Sequence, residues 1–411
     1  MSVFQDKQIL LGVTGSIAAY KAADLASKLT QEGALVDVVL TSAGQNFITP
    51  LTFQSVTGRR AYTDQDLWGN EAHVLHVGIG RSTDLLVIAP CTADTIAKLA
   101  NGMADNLLTV TALAAQCPLL IAPAMDGGMF DHPATQENLA KLKERGAVIV
   151  GPAQGHLASG LSGIGRMVEP AEILGHIRLL LGRKGKLAGK KVVVTAGGTQ
   201  EPLDPVRVLT NRSSGKQGYA LAEAALASGA DVVLVTAPTA LSAPVGARVV
   251  CAQSVNDMLD AVLTECKDAD ALIMAAAVAD FRPKNVASDK LKRRDGIPQV
   301  ELEAAPDILK TVAAKRRRPE PVEGSGMKRL RVVVGFAAES RDLLDNASEK
   351  LESKSLDFIA ANDISAQDAG FGTDTNRVTL LFPDGKKETL PLMSKSEVAE
   401  KIIEHISDLL E

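Results

Sequence analysis

The sequence predicts an α/β protein built from two doubly wound, Rossmann-like parallel-sheet domains. Short runs rich in Val, Ile and Leu alternate with Ala-rich helical stretches along most of the 411 residues. These runs are continuously apolar, which is typical of strands that helices cover on both faces. The length of the chain also suits two domains of ordinary size.

The apolar runs define the predicted strands in order. In the first half they are QILLGV, LVDVVL, DLLVIA, PLLIA and AVIVG. The pattern restarts at Lys191 with VVVTAGG, followed by DVVLVTA, ARVVCA, DALIMAAA, RVVVGFAA and LDFIAAN. Near the C-terminus, NRVTLLFPDGKKETLPL predicts a β-hairpin, and Ser394 is expected to cap a closing helix that extends to Leu410.

Two polar stretches interrupt this pattern. A basic, glycine-bearing stretch predicts a linker at 182–190, which joins one domain at 1–181 to another at 191–411. Residues 315–331, KRRRPEPVEGSGMKRLR, combine a basic cluster with prolines and glycines. We expect a mobile surface insertion there, with an anion-binding patch as the less favoured interpretation.

The composition excludes several classes of protein. An aromatic content of 3% and a net charge of −5 argue against nucleic-acid binding, which relies on stacking rings and basic surfaces. The four cysteines form no CxxC pair, so we expect neither a disulfide framework nor a zinc knuckle. This cysteine usage fits a protein of the reducing cytoplasm. The N-terminus does not resemble a signal peptide. The apolar window 107–125 is broken by Pro118, so it predicts a helix, a turn and a buried strand rather than a membrane span.

Glycines and hydroxyl side chains follow the first two predicted strands. Residues 12–16, GVTGS, lie between a strand and a helix, and residues 41–44, TSAG, end the second strand. Backbone N–H groups at such turns bind phosphates, and the helix N-terminus adds positive potential. The third glycine of the dinucleotide fingerprint is missing, so this signal is weak by itself.

Three more motifs follow in order, namely APCTADT at 89–95, PAMDGGMF at 123–130 and GHLASGLSGIGRM at 155–167. Together with the first turn, they resemble the flavin-dependent decarboxylases that act on cysteine, in particular the phosphopantothenoylcysteine decarboxylase family. The resemblance covers most of residues 7–180. It implies a flavodoxin-like domain of the flavin-dependent cysteine decarboxylase type.

The resemblance also implies the site residues and FMN as the cofactor. His76 would be the catalytic base, and the catalytic acid position is Ser159. The substrate would contact Met125, Asp126, Met129 and Arg166. The residues expected to bind FMN are Gly15, Ser16, Thr41, Ser42, Thr92, Asp94 and Thr95. A flavin suits this chemistry because oxidation of the thiol to a thioaldehyde supplies the electron sink that a cysteine carboxylate lacks.

Two residues depart from the family pattern. The family usually has Asn at Asp126, where an ionised carboxylate would repel the substrate carboxylate unless it is protonated, bridged by a donor or displaced. Ser159 stands where the family presents a cysteine, whose thiol, with a pKa of about 8.5, is the better proton donor. Water or another acid then acts instead, or the last step is slow. Tolerated variation within the family is the preferred interpretation.

The second half begins with two glycine-bearing loops, VTAGGTQEP at 194–202 and NRSSGKQG at 211–218, which predict anion-binding turns. A dehydrogenase using NAD(P) is the generic alternative, but no acidic residue ends the next strand, DVVLVTAPT. With AAAVADFRP at 275–283, APDI at 305–308 and GFAAE at 335–339, these loops resemble the phosphopantothenate–cysteine ligase family over about residues 188–406.

This second resemblance implies that CTP activates a carboxylate as an acyl-cytidylate, which the amine of cysteine then attacks. Asn211 would hold the intermediate, and Lys290 would be a catalytic lysine. Mg²⁺ is expected with the triphosphate, and Ala305 replaces an Asn that is usual in the family. The expected nucleotide-binding residues are Met274, Ala275, Ala276, Asp280, Lys290, Pro306, Asp307, Ile308, Phe336, Lys350 and Lys354.

Taken together, the two halves resemble the bifunctional decarboxylase–ligase family of coenzyme A synthesis. The resemblance implies 4'-phosphopantothenate, cysteine and CTP as substrates, and no nucleic-acid or membrane partner. It also implies a cytoplasmic homo-oligomer, a dodecamer that combines decarboxylase trimers with ligase dimers. The alternatives are an active ligase with an impaired decarboxylase, and a flavin-binding regulatory protein.

Overall fold

A computed structural model describes residues 2–68, 74–293, 297–317, 330–339, 342–363 and 373–411. Its contacts divide the chain into two compact units, Met1–Leu181 and Gly182–Glu411. Each unit is built on one large, mainly parallel β-sheet with helices packed against it. The predicted class of two doubly wound α/β domains is therefore confirmed.

The first unit contains eight strands in its described residues. They are β1 (Gln8–Val13), β2 (Leu35–Leu40), β3 (Ala61–Thr63), β4 (Leu85–Cys91), β5 (Leu119–Pro123), β6 (Val148–Ile149), β7 (Ala153–His156) and β8 (Ser162–Arg166). Its helices are α1 (Ala19–Gln31), α2 (Pro50–Thr57), α3 (Leu75–Ser82), α4 (Ala93–Asn101), α5 (Leu107–Ala114), α6 (Gly127–Phe130), α7 (Pro133–Glu144) and α8 (Pro170–Gly182).

The first six strands form a parallel sheet in the order β3-β2-β1-β4-β5-β6. The strand order reverses between β1 and β4, and ligands of doubly wound sheets bind at the carboxyl ends of the strands beside such a reversal. Successive residues of a strand face opposite sides of the sheet. Accordingly, Ile9 and Leu11 lie in one buried core and Leu10 in the other. This two-sided burial explains the continuous apolar runs.

The second unit has its strands at β9 (Lys191–Ala196), β10 (Gln200–Pro202), β11 (Val208–Thr210), β12 (Asp231–Thr236), β13 (Arg248–Cys251), β14 (Ala271–Met274), β15 (Phe281–Pro283), β16 (Leu302–Ala304), β17 (Val332–Glu339), β18 (Phe358–Asp363), β19 (Thr375–Asn376), β20 (Val378–Leu381), β21 (Lys387–Thr389) and β22 (Met393–Ser394). Its helices are α9 (Lys216–Ala227), α10 (Val255–Glu265), α11 (Ile308–Arg317), α12 (Leu343–Ser353) and α13 (Lys395–Leu410).

The main sheet of this unit has the order β13-β12-β9-β14-β17-β18-β20-β21. The first six strands in this order, β13, β12, β9, β14, β17 and β18, are parallel to one another. Strands β20 and β21 complete the sheet as the predicted antiparallel hairpin. Helix α13 begins where the sequence predicts, because the hydroxyl of Ser394 accepts a hydrogen bond from the backbone N–H of Glu397 in a capping box.

Both interrupting stretches differ from expectation. The predicted linker at 182–190 belongs to the second unit, where Leu187 is fully buried and its backbone N–H donates to the carbonyl of Ser228 at 2.9 Å. The insertion predicted at 315–331 overlaps a helix, because residues 315–317 form the last turn of α11. Residues 318–329 lie outside the described residues.

Three short strands of the first unit were not predicted. Strand β3 has only three residues, and β7 and β8 form a hairpin rich in glycine, which gives no apolar run. The window at 107–125 contains α5 and β5, as predicted. No helix of the described residues combines the length and the apolar character that a membrane span requires.

Candidate functional sites

In the first unit, Thr14 joins the loops that follow β1 and β4. Its buried hydroxyl donates to the carbonyl of Pro90 at 2.7 Å and accepts from the backbone N–H of Thr92 at 3.1 Å. Thr14 lies within the GVTGS turn, although the sequence alone indicated no particular role for it. It fixes the crevice at the carboxyl ends of the two central strands.

Gly15 and Ser16 lead from β1 into α1. A Cβ atom on Gly15 would lie 2.5 Å from the Cβ of Ala43, so the loop after β2 can approach only a glycine. Helix α1 begins without a side-chain cap at Ala18 among the described residues, and although the N–H groups of Ala19 and Lys21 bond within the turn, the positive end of the helix faces this turn. An anion such as a phosphate fits this turn.

Thr41 and Ser42 already have protein partners. The buried Thr41 hydroxyl accepts from the backbone N–H of Gly44 at 3.1 Å, which shapes the turn. The backbone N–H and the hydroxyl of Ser42 both donate to Asp64, at 3.1 and 2.6 Å. The other carboxylate oxygen of Asp64 accepts from Leu107 N–H at the start of α5, at 3.0 Å. The Ser42 donors expected to meet a phosphate are therefore bound to a carboxylate that sequence reasoning missed.

Thr92, Asp94 and Thr95 lie at the start of α4. Thr92 caps the helix, since its hydroxyl accepts from the backbone N–H of Thr95 at 3.4 Å. The side chain of Asp94 is 73% exposed and pairs with Lys98 at 3.3 Å. Thr92 therefore faces the same strand ends as Thr14, whereas Asp94 extends into solvent.

His76 lies half-buried in the first turn of α3. Among the described residues, no hydrogen bond joins its ring to another predicted site residue. Gly80 of the same helix allows close packing on the end of α5, because a Cβ there would lie 3.1 Å from the backbone nitrogen of Ala115. The position of His76 is thus fixed by helix packing.

The β7–β8 hairpin covers the turn after β5. Met125 N–H donates to the carbonyl of Gly165 at 3.0 Å, and a Cβ on Gly165 would lie 2.3 Å from the Met125 carbonyl oxygen. At the base of the hairpin, Glu169 accepts from Arg166 at 2.7 Å and from the buried Lys21 at 2.9 Å. We call this hairpin the flap.

The two departures from the family pattern are bonded to each other. The hydroxyl of Ser159 donates to Oδ2 of Asp126 at 2.6 Å, and Oδ1 of Asp126 accepts from Gly128 N–H at 3.0 Å. The Ser159 hydroxyl, followed by the Gly128 N–H, holds the pKa of Asp126 below its ordinary value. Asp126 is therefore a bridged, ionised carboxylate rather than a protonated one. Met129, one turn further on, has 51% of its surface exposed.

The second unit has a cleft of about 550 Å³ at the ends of β14 and β17. Asn211 lines it. So do all the expected nucleotide-binding residues except one, namely Met274, Ala275, Ala276, Asp280, Pro306, Asp307, Ile308, Phe336, Lys350 and Lys354. Residues more than 140 positions apart in the sequence thus surround one cavity.

Hydrogen bonds from the loop after β14, which lines this cleft, attach it to β9 and to the turn that follows β9. The hydroxyls of Thr195 and Thr199 accept from Ala276 N–H at 3.1 Å and from Ala279 N–H at 3.0 Å. The side-chain amide of Asn211 donates to the carbonyl of Val278 at 3.2 Å. The loop after β14, which Thr195 and Thr199 support, therefore holds the side chain of Asn211 at the cavity wall.

The lysines of the nucleotide set have partners within the cleft. Lys350 Nζ donates to the carbonyl of Phe336 at 2.8 Å, and Lys354 Nζ lies 3.2 Å from Oδ2 of Asp307. Burial opposes ionisation of Asp307, but the backbone N–H of Lys310 and the charge of Lys354 outweigh it and lower the pKa of this carboxyl. A phosphate entering the cleft would compete with Asp307 for Lys354.

Lys290 is the exception among the expected residues. It is exposed and does not line the cleft within this chain. Its neighbour Leu291 is held by the buried Asp204, which accepts the Leu291 N–H at 3.1 Å. The order of the motifs led us to expect Lys290 in the nucleotide site, but within one chain its side chain does not line the cleft.

Several cleft residues were not predicted as site residues. They are Asn362, Asn376 and Lys395, whereas Arg212, Ser213, Ser214, Gly215, Lys216 and Gln217 belong to the predicted anion-binding turn at 211–218 without having been assigned individual roles. One signal was available, because Lys395 directly follows the predicted cap of α13, and a cation is unfavourable at the positive end of a helix. Among the described residues, no group of three or more His, Cys, Asp or Glu side chains is arranged to hold a metal.

Comparison with known proteins covers both units. Residues 3–182 match the family model described as flavoprotein, and residues 187–410 match the DNA/pantothenate metabolism flavoprotein C-terminal domain. The fold and its two crevices thus define a two-domain α/β enzyme of the flavoprotein class. Most of the chain is accounted for by these two matches.

The most similar relatives include proteins named coenzyme A biosynthesis bifunctional protein CoaBC. The protein of Bacillus subtilis is 44% identical over 99% of this chain and 98% of its own length. That of Vibrio vulnificus is 42% identical over the whole of both chains, and that of Mycobacterium tuberculosis is 43% identical over 98% and 97%. The chain belongs to this family of bifunctional coenzyme A biosynthesis proteins, and it has decarboxylase and ligase activities.

Two solved structures are similar to parts of the chain. The C-terminal domain of a coenzyme A biosynthesis bifunctional protein CoaBC is 39% identical, covering 55% of this chain and 98% of its own, with a TM-score of 0.45. An FMN-dependent cysteine decarboxylase, SpaF, is 32% identical, covering 44% and 97%, with a TM-score of 0.38.

Proposed function

We propose that the second unit joins cysteine to 4'-phosphopantothenate at the expense of CTP, and that the first unit then decarboxylates the product with FMN to give 4'-phosphopantetheine. The observation that carries this proposal is the cleft of the second unit. It gathers Asn211 and ten of the eleven residues expected to bind the nucleotide. The same chain carries the flavoprotein unit that the second reaction requires.

The ligase chemistry depends on activation of a carboxylate. Oxide is a poor leaving group, whereas cytidine monophosphate leaves readily from an acyl-cytidylate. The protein contributes position and charge: Asn211 lies at the cavity wall, and Lys350 and Lys354 offer ammonium groups to phosphate oxygens. We expect Mg²⁺ to enter with CTP, because this ion takes most of its ligands from phosphates and water and only one or two from carboxylates.

The decarboxylase chemistry takes place at the strand ends of the first unit. Gly15, Ser16 and the uncapped start of α1 would hold the phosphate of FMN, and the loop at Thr92 lies beside them through Thr14. Bound FMN supplies a hydride acceptor for the substrate thiol. His76 would act as the base, and Arg166, fixed by Glu169, would bind the substrate under the flap.

We further propose that the enzyme is a cytoplasmic homo-oligomer, with a dodecamer as the expected state. Large apolar side chains lie exposed on the first unit, among them Trp68, Leu51 and Tyr20, with 88%, 68% and 63% of their surfaces accessible. A contiguous exposed apolar patch marks a protein contact, and these three side chains are the residues to substitute in testing for one. Sedimentation of the purified protein tests this state directly.

A coupled assay tests the proposed function. Purified protein is incubated with 4'-phosphopantothenate, cysteine and CTP, and CMP, CO₂ and 4'-phosphopantetheine are measured. We expect all three products in equal amounts, and a flavin that denaturation releases as FMN. ATP in place of CTP serves as the control. No CMP, or equal use of ATP, would contradict the ligase proposal, and a colourless protein without CO₂ release would contradict the decarboxylase proposal.

A further inference from the structure

The predicted nucleotide set leaves one part of the cleft unexplained. This part, which we call the α9–α13 wall, consists of Gln217, Asn376 and Lys395. Asn376 Nδ2 donates to Gln217 Oε1 at 2.8 Å, and Gln217 Nε2 donates to the carbonyl of Lys395 at 3.1 Å. The two bonds fix which amide atom of each side chain is the donor. The oxygen of Asn376 is therefore left over.

That oxygen is an acceptor in need of a donor. Asn376 is 3% exposed, and its Oδ1 has no hydrogen-bond partner among the residues that the structure describes. The Oδ1 of Asn362, another residue lining the cleft, is buried in the same condition. A buried acceptor without a donor is costly, by roughly 1–3 kcal/mol. Both atoms indicate a ligand that carries N–H or O–H groups.

Lys395 supplies a cation to the same wall. It is 7% exposed and is the first residue of α13, at the positive end of that helix. Lys216, which pairs with Asp374 at 2.6 Å, lines the cleft beside it. Burial and the charge of Lys216 lower the pKa of Lys395, and Asp374 opposes this shift. An ammonium group in such surroundings is stabilised by an anionic ligand.

We propose that the α9–α13 wall is the binding site for cysteine in the ligase reaction, with Asn376 Oδ1 accepting from the amino group and Lys395 pairing with the carboxylate. This inference rests on the proposed CTP-dependent ligation of cysteine. Of the three expected substrates, only cysteine carries a primary amine and a carboxylate on the same carbon atom. The wall offers the matching pair, a neutral acceptor and a cation, in the same cavity as the nucleotide set.

The chemistry of amide formation agrees with a neutral acceptor. The lone pair of the amine nitrogen forms a bond to the acyl carbon, the acyl–oxygen bond to CMP breaks with its electrons leaving on CMP, and the nitrogen releases a proton. A carboxylate acceptor would stabilise the unreactive ammonium form, whereas an amide oxygen orients the N–H without adding charge. Asn376 and Lys395 are thus assigned as binding and positioning residues.

Steady-state kinetics with three varied substrates test the assignment. We expect Lys395→Met to raise KM for cysteine about tenfold, as for loss of a hydrogen bond to a charged group, and Asn376→Ser to raise it about threefold to tenfold, as for loss of a neutral hydrogen bond. KM for CTP and for 4'-phosphopantothenate should stay nearly unchanged in both variants. Asn256→Ser, at an exposed position of α10, is the matched control and should leave all three constants unchanged. A rise in KM for CTP or 4'-phosphopantothenate with that for cysteine unchanged would overturn the assignment.

A substrate analogue separates the two contacts. 2-Aminoethanethiol keeps the amine and thiol of cysteine but lacks the carboxylate. The unaltered enzyme should prefer cysteine in kcat/KM, Lys395→Met should lose most of this preference, and Asn376→Ser should keep it. An unaltered enzyme without the preference, or a Lys395→Met enzyme that keeps it, would refute the carboxylate contact.

Folding and the parent proposal are checked separately. An unchanged KM for CTP and an unchanged unfolding midpoint show that a variant is folded, and Lys395→Arg should restore part of the cysteine preference by returning the charge. If Asn376→Ser does not fold, the Lys395 variants and the analogue decide the assignment. Absence of CMP formation by the unaltered enzyme with every amine would instead refute the proposed ligase function.

Discussion

The hydroxyl of Ser159 donates a 2.6 Å hydrogen bond to the carboxylate of Asp126, which fastens the tip of the flap to the turn after β5. Asp126 also caps the short helix α6 by accepting from Gly128 N–H. Each residue replaces a different one in the family pattern, and together they form a complementary donor and acceptor. The proton of Ser159 is thereby directed to Asp126 rather than to a substrate.

This bond makes the ionisation of Asp126 depend on Ser159. The Ser159→Ala variant should raise the pKa of Asp126 towards its ordinary value of about 3.9, because the first cause of the lowered pKa is removed. Carbon NMR titration of the carboxyl measures this shift. Ser162→Ala, in the same hairpin, is the control. An unchanged titration in Ser159→Ala would contradict the bond.

The lowered pKa of Asp126 determines whether the Ser159–Asp126 contact weakens in acid or in alkali. The folded-state pKa of Asp126 is lowered, so the contact is at full strength above the unfolded-state value of about 3.9 and weakens as pH falls through the lower folded value. Amide hydrogen exchange of the hairpin should therefore be constant between pH 5 and pH 8 after correction for the intrinsic rate, and faster in acid. Faster exchange at the alkaline end would refute this prediction.

Ser159→Cys should accelerate the final reductive step of decarboxylation, because a thiol with a pKa of about 8.5 is a far better proton donor than a hydroxyl. The measurement is the ratio of 4'-phosphopantetheine formed to CO₂ released in the first turnovers. Ser162→Cys provides the control for an exposed thiol in the flap. An unchanged ratio would show that another donor already completes the step.

His76→Asn should lower the rate of CO₂ release by about 100-fold or more, as expected for loss of a general base, and leave CMP formation intact. Both products are measured on the same preparation. His132→Asn is the matched variant, because His132 is an exposed cap of α7 and Asn caps helices well. Loss of both activities in His76→Asn would indicate a folding defect and would remove the support for a catalytic role.

Lys354→Met should raise KM for CTP about tenfold, since it removes an ammonium group from the cleft. Lys310→Met is a close control, because Lys310 also lies near Asp307, at 4.0 Å, but its side chain is 64% exposed and does not line the cleft. Equal effects of the two substitutions would indicate that the pairing with Asp307, rather than nucleotide binding, is affected.

Burial determined what the sequence could predict of the fold. A strand such as β4 or β14, buried at every residue, has an apolar run that the sequence shows directly. Strand β3 is short, and the flap strands are exposed and rich in glycine, so neither has a distinctive pattern. The stretch at 182–190 is polar apart from Leu187, which gives no indication that the stretch packs on the second unit.

The site could be predicted only where its residues belong to motifs. The loops that contain Asn211, Asp280 and Asp307 were recognised by their order, and the structure brings them to one cleft. Asn376 and Lys395 enter the same cleft because β19 pairs with β22 beside the start of α13. Both strands are only two residues long, so no apolar pattern in the sequence indicates their pairing. The Ser42–Asp64 bond was missed because it joins residues far apart in the sequence.

Arg316, which precedes residues 318–329, forms a hydrogen bond to Leu330, which follows them. Its guanidinium bonds to Asp357 at 2.9 Å and to the carbonyl of Leu330 at 3.2 Å, so the end of α11 and the residue before Arg331 are tied to the same anchor. Replacing the intervening residues therefore leaves both attachment points in place. An epitope or fluorophore-labelling sequence placed between these two attachment points should therefore leave the contacts of Arg316 with Asp357 and Leu330 intact.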